Sequence, residues 1–346
     1  MKASIHYYVL VSILFLLISS CSSSSPQNKS LSNNKYIKYY KKIKVAELEI
    51  LEESYSKAVE TYKEAFRIVS PMSLTHCYTA TQVSARIGDM ESFKLFTKEG
   101  FILGLELEDI YKDSIMNSFV KDKKIKKILK ESYANTKIIH KDRLNQFLID
   151  TVLKLSNLDN KWKIYYMDSL SHADPKNEAL YEKKYDSIVS YIVEDKLIPL
   201  IREYGYPGER LIGANWVGVK NSYNRGISQN RALFILIHYY SRPKSCKYNN
   251  LLLEQVLNGT LFPKQYTSII DFQAKYGDST NCKVNFFNQW HSTKDSSLFK
   301  EINQRRFEIG LETIEEIDRK FKRGQKICKE KRNGKHDQIR LFYWCG

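Results

Sequence analysis

The sequence predicts a mainly α fold: helical hairpins over residues 36–139, an all-α domain over 140–325, and a short β-hairpin in the basic tail, 326–346. Three observations predict it. Apolar residues recur at steps of three and four through several long stretches, which places them on one face of a helix. Glycine and proline fall where those stretches stop, as helix ends require. In the tail, Asn333-Gly334 separates two β-prone runs, a hairpin signal.

Residues 36–69 read as helical because Leu51, Tyr55, Ala58, Val59, Tyr62, Phe66 and Val69 share one face. The pattern stops at Ser70-Pro71, since a residue before proline avoids helical backbone. Tyr78, Ala80 and Ala85 lead to Gly88-Asp89, and Met90, Phe93 and Phe96 lead to Gly100-Phe101. Both glycines are placed to end helices. A weaker helical stretch covers 108–132. Its residues 121–130 put Ile125, Ile128 and Leu129 on one face and six lysines on the other. The lysines read as a solvated helix face; a basic patch for an anionic surface is the alternative.

Within this region, Tyr55-x-x-Ala58-x-x-x-Tyr62-x-x-Ala65-Phe66 resembles the second helix of a tetratricopeptide repeat, and residues 78–101 resemble a hairpin of the same type. The resemblance implies close helix packing at the alanines and a concave face for a protein or peptide partner. Two hairpins are few for a solenoid, so the module is expected to pack on the second half of the chain.

A helix from about 141 to 157 carries Leu144, Phe147, Leu148, Val152 and Leu155 on one face. Asp174-Pro175 marks a turn. His172 and Asp174 beside it read as solvated rather than metal-binding. Residues 182–204 are helical, with Pro199 in the first turn of a new short helix. Gly205 stops that helix. Residues 231–240 are apolar nearly all round, as in a core helix. His238 is therefore expected to be largely buried, with its ring nitrogens bonded. Further helices come at 251–257, from Pro263 onward with Tyr266, Ile269, Ile270 and Phe272 inward, and at 296–309. Thr313-x-x-Glu316 is a capping box for the helix after them.

Taken together, residues 150–322 resemble an uncharacterised family of bacterial domains of unknown function. The matching pieces are Leu155-x-x-Leu158-Asp159-Asn160, Ile201-x-x-Tyr204-Gly205-Tyr206-Pro207, His238 closing an apolar helix, Pro263-x-x-Tyr266 with Asp271 and Tyr276-Gly277, and Asn303-x-Arg305-Arg306-x-x-x-Gly310-Leu311. The chain departs from the family pattern at Asn160, where the family has Gln. It departs again at Tyr239-Tyr240, where a carboxylate follows the histidine in the family, and at Asp278-Ser279. The resemblance implies architecture rather than an activity.

Location is written at the start. Lys2 precedes an apolar run from Tyr7 to Ile18, then Ser19, Ser20 and Cys21. That is the layout of a secretory signal, and the run is too short to span a bilayer of ~30 Å. Ile18-Ser19-Ser20-Cys21 resembles the lipobox of bacterial lipoproteins. The resemblance implies a signal peptide over 1–20, cleavage after Ser20 and lipid on Cys21. An ordinary cleaved signal with an unrelated cysteine is the alternative. Residues 21–35 are polar and read as a tether. Ser22 to Ser25 are not acidic, which points to the periplasmic face of the cell envelope.

The 346 residues are 42% hydrophobic and 27% charged, a composition that excludes general disorder. A formal charge of +16 favours anionic lipid, acidic polymers or acidic partners. Export argues against nucleic acid. Of the six cysteines, Cys21 is assigned to lipid, and the oxidising compartment favours pairing among the rest. The expected bonds are Cys246–Cys282 and Cys328–Cys345, with Cys77 left as a buried thiol. There is no Cys-x-x-Cys for a metal and no glycine-rich phosphate loop, so neither a metal nor a cofactor is expected. Two functions compete. The first is a membrane-tethered binding or scaffold module. The second is an envelope hydrolase with His238 as general base, Asp159 or Asp271 as its orienting carboxylate, and Arg305 or Arg306 as an anion clamp.

Overall fold

The computed structural model describes residues 31, 33–214, 230–277, 284–289, 295–334 and 339. No strand occurs among them. Helix α1 (Lys35–Leu51) is capped by Asn34, whose side chain accepts from the backbone N–H groups of Tyr36 and Ile37. The stretch 36–69 is not one helix. It reverses at Glu52-Glu53-Ser54, with Glu53 at φ 58°, and returns as α2 (Tyr55–Ile68). The reversal lets Tyr39, Ile43 and Ala46 of α1 share a core with Ala58, Val59, Tyr62 and Ala65 of α2. Each large apolar side chain so buried contributes about 1.5–3 kcal/mol.

A second hairpin pairs α3 (Leu74–Ile87) with α4 (Met90–Leu103). Gly88 ends α3 at φ 74°, as expected. Gly100 does not end α4. The helix continues to Gly104 at φ 104°, and Gly100 sits where a Cβ would come within 2.9 Å of Leu105 and 3.5 Å of Cys77. Its role is close packing, which spacing along the chain does not reveal. Two short helices, α5 (Leu107–Lys112) and α6 (Ser114–Phe119), lead to α7 (Lys123–Arg143). Helix α7 runs through the expected border at 139/140.

The second half begins with α8 (Gln146–Lys163), which passes directly into a π-helical segment, π1 (Ile164–Leu170). Phe147, expected on the core face of α8, is exposed and lies against Tyr204 with ring centroids 5.7 Å apart. A return helix, α9 (Glu178–Tyr191), passes through π2 (Ile192–Leu197) into α10 (Ile198–Tyr204), with Pro199 in the first turn. Then come α11 (Glu209–Ile212), α12 (Arg231–Tyr240), α13 (Asn249–Leu257), α14 (Pro263–Tyr276) and α15 (Phe299–Glu308). The last helix, α16 (Ile314–Arg332), opens on the expected capping box: Thr313 N–H donates to Glu316 Oε2 at 2.8 Å and Glu316 N–H to Thr313 Oγ1 at 3.2 Å.

The tail corrects the sequence reading. Residues 326–332, expected as the first arm of a β-hairpin, are the last two turns of α16. Lys320, Gly324 and Ile327 are buried at spacings of four and three, so the helical period continues to the end. The expected second arm falls mostly outside the described residues.

The two halves pack on one another. Asn34 Nδ2 donates to Leu257 O at 2.9 Å, and Ile37 of α1 belongs to the core of the second half. Gly310, at φ 83°, lies 2.9 Å from Tyr40 Cβ when a Cβ is placed on it.

Candidate functional site

The polar centre of the second half is built by three helices. Helix α8 buries Leu148, Val152 and Leu155, and the same face continues to Asp159, which is 1% exposed. Helix α9 presents Tyr185, which is buried too, and α12 presents His238, half-buried at its C-terminal end. Tyr185 Oη donates to Asp159 Oδ1 at 2.6 Å. His238 Nδ1 lies 2.6 Å from Asp159 Oδ2. A buried carboxylate needs donors on both oxygens, and this pair supplies them, so Nδ1 carries the proton. His238 Nε2 makes no hydrogen bond among the described residues, and the side chain keeps 19% exposure. Among the described residues the ring is therefore oriented through Nδ1 alone.

The surroundings are aromatic and cationic. Burial first, and the Asp159 carboxylate second, push the Tyr185 hydroxyl far above its ordinary range. It stays a donor at any physiological pH. The Arg242 guanidinium stacks 4.7 Å over the Tyr185 ring, and its Nη1 donates to His238 O at 3.2 Å. Segment π1 carries Tyr166, which stacks on Trp162 at 5.6 Å and on Tyr181 at 6.4 Å. π-Helical turns are rare and recur beside functional sites. Here the wider turn also lets Ser171 Oγ donate to Tyr166 O at 2.9 Å.

The other three candidates form a separate group. Asp271 is fully buried, and its oxygens accept from Phe287 N–H at 2.7 Å and Gln289 N–H at 2.5 Å. Arg305 Nη2 donates to Phe286 O at 2.7 Å. Arg306, also fully buried, donates to Phe287 O at 2.8 Å and Glu312 O at 2.6 Å. These groups clamp the segment 284–289 against α14 and α15. Arg305 also pairs through Nη1 with the Glu301 carboxylate at 2.5 Å, so the guanidiniums expected to clamp an anion are engaged by backbone carbonyls and by a carboxylate of their own helix. The structure thus joins Asp159 and His238 by a hydrogen bond, whereas Asp271, Arg305 and Arg306 converge on the segment 284–289. Tyr185 and Arg242 were not expected at the site. They lie 26 and 83 residues from Asp159, and no local spacing marks them.

A second feature lies on the hairpins. A groove of about 320 Å³ lies at the end of α2 and along α4, lined by the apolar Phe66, Pro71 and Leu95 and by the charged Lys63, Arg67, Glu91 and Glu99. Leu95 is 43% exposed. Burial raises the Glu99 carboxyl above its ordinary value.

His172 is exposed, and Asp174 accepts from Asn177 and Tyr181, a turn rather than a metal site. No group of three or more metal-binding side chains occurs among the described residues. Cys77 is a buried free thiol, raised well above its ordinary pKa by burial. Cys246 and Cys328 are not free thiols, while Cys282, Cys345 and Cys21 lie outside the described residues. No described helix is long and apolar enough to cross a membrane. No known protein family, curated protein or solved structure matches the chain. What stands of the two family resemblances in 36–139 and 150–322 is the coarser statement, an all-helical protein whose helices pair as hairpins.

Proposed function

We propose that the chain is a membrane-tethered binding or scaffold module of a bacterial cell envelope, anchored by lipid on Cys21 and facing the periplasm. Its hairpins take a protein or peptide partner. The observation that carries this reading is the groove on the hairpins, whose lining joins an exposed Leu95, 43% accessible, with charges of both signs. An apolar anchor ringed by polar groups is the anatomy of a peptide-binding surface. The basic charge suits an acidic partner. A photo-crosslinking side chain at position 95 tests it in the native envelope. The expected result is one discrete adduct, competed by excess unlabelled protein and missing when the label stands at exposed Ile87. No adduct at 95, or the same products at 87, rejects the groove.

A second reading rests on a separate observation. His238 is held by Asp159 through Nδ1 and, among the described residues, makes no bond at Nε2, the arrangement of a general base. It supports a hydrolase that activates water. Against it stands the placement of Arg305 and Arg306, whose donors are engaged by backbone carbonyls and, for Arg305, by Glu301.

A further inference from the structure

We infer that the outer face of α7 is a docking surface for an anionic lipid headgroup layer, so that the tethered protein lies with this helix along its own membrane. The inference rests on the lipid-anchor reading and adds the surface that meets the bilayer. Residues 121–143 carry eight exposed lysines against three exposed acids, Asp122, Glu131 and Asp142. Lys127 reaches Glu131 only at 3.9 Å, and Lys126 rests 5.2 Å over the Tyr111 ring. The packing face of the helix is used up by Ile125, Leu129 and Thr136, which are buried. Yet Ile128, Ile138 and Ile139 stand 40%, 67% and 50% exposed. Positions 128 and 139 are eleven residues apart, about three helical turns, and so share one side. Isoleucines set among lysines on the solvent side of a helix are what an interfacial helix presents to headgroups and the upper acyl region.

The start of α1 lies near the C-terminal end of α7. Arg143 Nη1, at the end of α7, donates to Arg210 O at 3.3 Å. Arg210 Nη1 in turn donates to Tyr36 Oη at 3.4 Å, in the first turn of α1. The chain therefore enters the fold within two side-chain lengths of the C-terminal end of α7. From Cys21 to Asn34 the chain can reach no further than about 50 Å, and α7 is about 31 Å long. A lipid on Cys21 thus holds α7 within a helix length or two of the headgroups.

The test uses a chain beginning at Ser22, which keeps every described helix but carries no lipid. It is sedimented with vesicles of phosphatidylcholine alone and with vesicles containing phosphatidylglycerol, at low and high salt. Binding is expected only with phosphatidylglycerol, and it is expected to weaken with salt. Changing Lys123, Lys124, Lys127 and Lys130 to Gln should weaken it at least tenfold, since a lysine near an anionic surface is worth roughly fivefold. Ile138→Ser with Ile139→Ser should weaken it further. A control with the same charge change at Lys154, Lys176, Lys183 and Lys300 should lose markedly less, and matched circular dichroism melts establish that each variant is folded. Equal loss in the control, unchanged binding in the α7 variant, or binding to duplex DNA in place of the vesicles overturns the inference. The anchor is read separately, by lipid on Cys21 of the full chain, so either can fail alone.

Discussion

Lys320 Nζ in the last helix donates to Glu47 Oε2 in the first at 2.6 Å, across 273 residues of sequence. The contact is nearly dry: the Lys320 side chain is 2% exposed and that of Glu47 8%. Glu312 accepts from the same ammonium at 3.1 Å, and Lys44 reaches Glu47 at 2.9 Å. Burial pushes the Glu47 carboxyl up, but Lys320 and then Lys44 more than offset it and hold it at about 2. The network closes the chain on itself.

Lys320→Met is therefore expected to cost about 3–5 kcal/mol, because it strands buried carboxylates. Glu47→Gln combined with Lys320→Met should cost less than the two single changes added together. The pH dependence has a definite sign. A carboxyl whose folded value is depressed stabilises the fold above its ordinary value of 4.5 and loses that contribution as pH falls toward about 2. Urea unfolding of the single and double variants at neutral and acid pH checks this. Additive losses, or single changes within about 0.5 kcal/mol of the parent, contradict it.

Glu209 has the opposite sign. It is buried at the start of α3 and accepts from Leu74 N–H at 2.5 Å and Ser73 Oγ at 3.0 Å. Burial raises its carboxyl to about 7, against the lowering effects of those bonds and of Arg143. An acid raised in the fold stabilises fully below 4.5, and that stability is lost as pH rises toward about 7. At about 1.36 kcal/mol per unit the change is about 3 kcal/mol. Glu209→Gln should remove this slope, so that the difference in denaturation midpoint between parent and variant changes across the window. A constant difference speaks against it.

His238 and Asp159 separate the two functions. If the pair is structural, His238→Ala lowers stability by about 1–3 kcal/mol, the cost of leaving a buried carboxylate short of a donor. It then changes nothing catalytic. This is the expected outcome, measured by thermal unfolding together with a panel of chromogenic ester, amide and glycoside substrates. Turnover by the parent chain that both His238→Ala and Asp159→Asn abolish, in variants shown to be folded, replaces the binding module with a hydrolase.

The cysteines are counted by labelling thiols in the unfolded, unreduced mature protein. One reactive thiol, Cys77, is expected. A Cys246–Cys282 bond closes a loop of about 37 residues and by chain entropy stabilises the fold by about 4 kcal/mol. Three reactive thiols leave one bond standing, and five remove both.

The helices were legible because local rules govern them. The spacing in α12, the proline opening α14 and the Thr313–Glu316 capping box each act within a turn or two, and the structure repeats them. Two readings failed where a tertiary contact overrode a local signal. Gly100 looks like a stop, but α4 runs on to Leu103, and a side chain at Gly100 would meet Leu105 and Cys77. The run before Asn333-Gly334 looks like a strand, but it extends a helix whose Lys320 and Ile327 already have buried places.

By itself the sequence determined the helical class and most helix ends; it proposed a leader with a candidate lipid site, and His238 with either Asp159 or Asp271 as its carboxylate. Only the tertiary structure decided which of the candidates meet. Asp159 and His238 lie 79 residues apart, and Tyr185 completes their hydrogen bonding from a third helix. Arg305 and Arg306 turned inward to a loop, and Lys320 found Glu47 at the far end of the chain. Helical periodicity is set by hydrogen bonds four residues apart, whereas the choice of partner for a buried charge depends on which helices pack together, and no short stretch of sequence carries that.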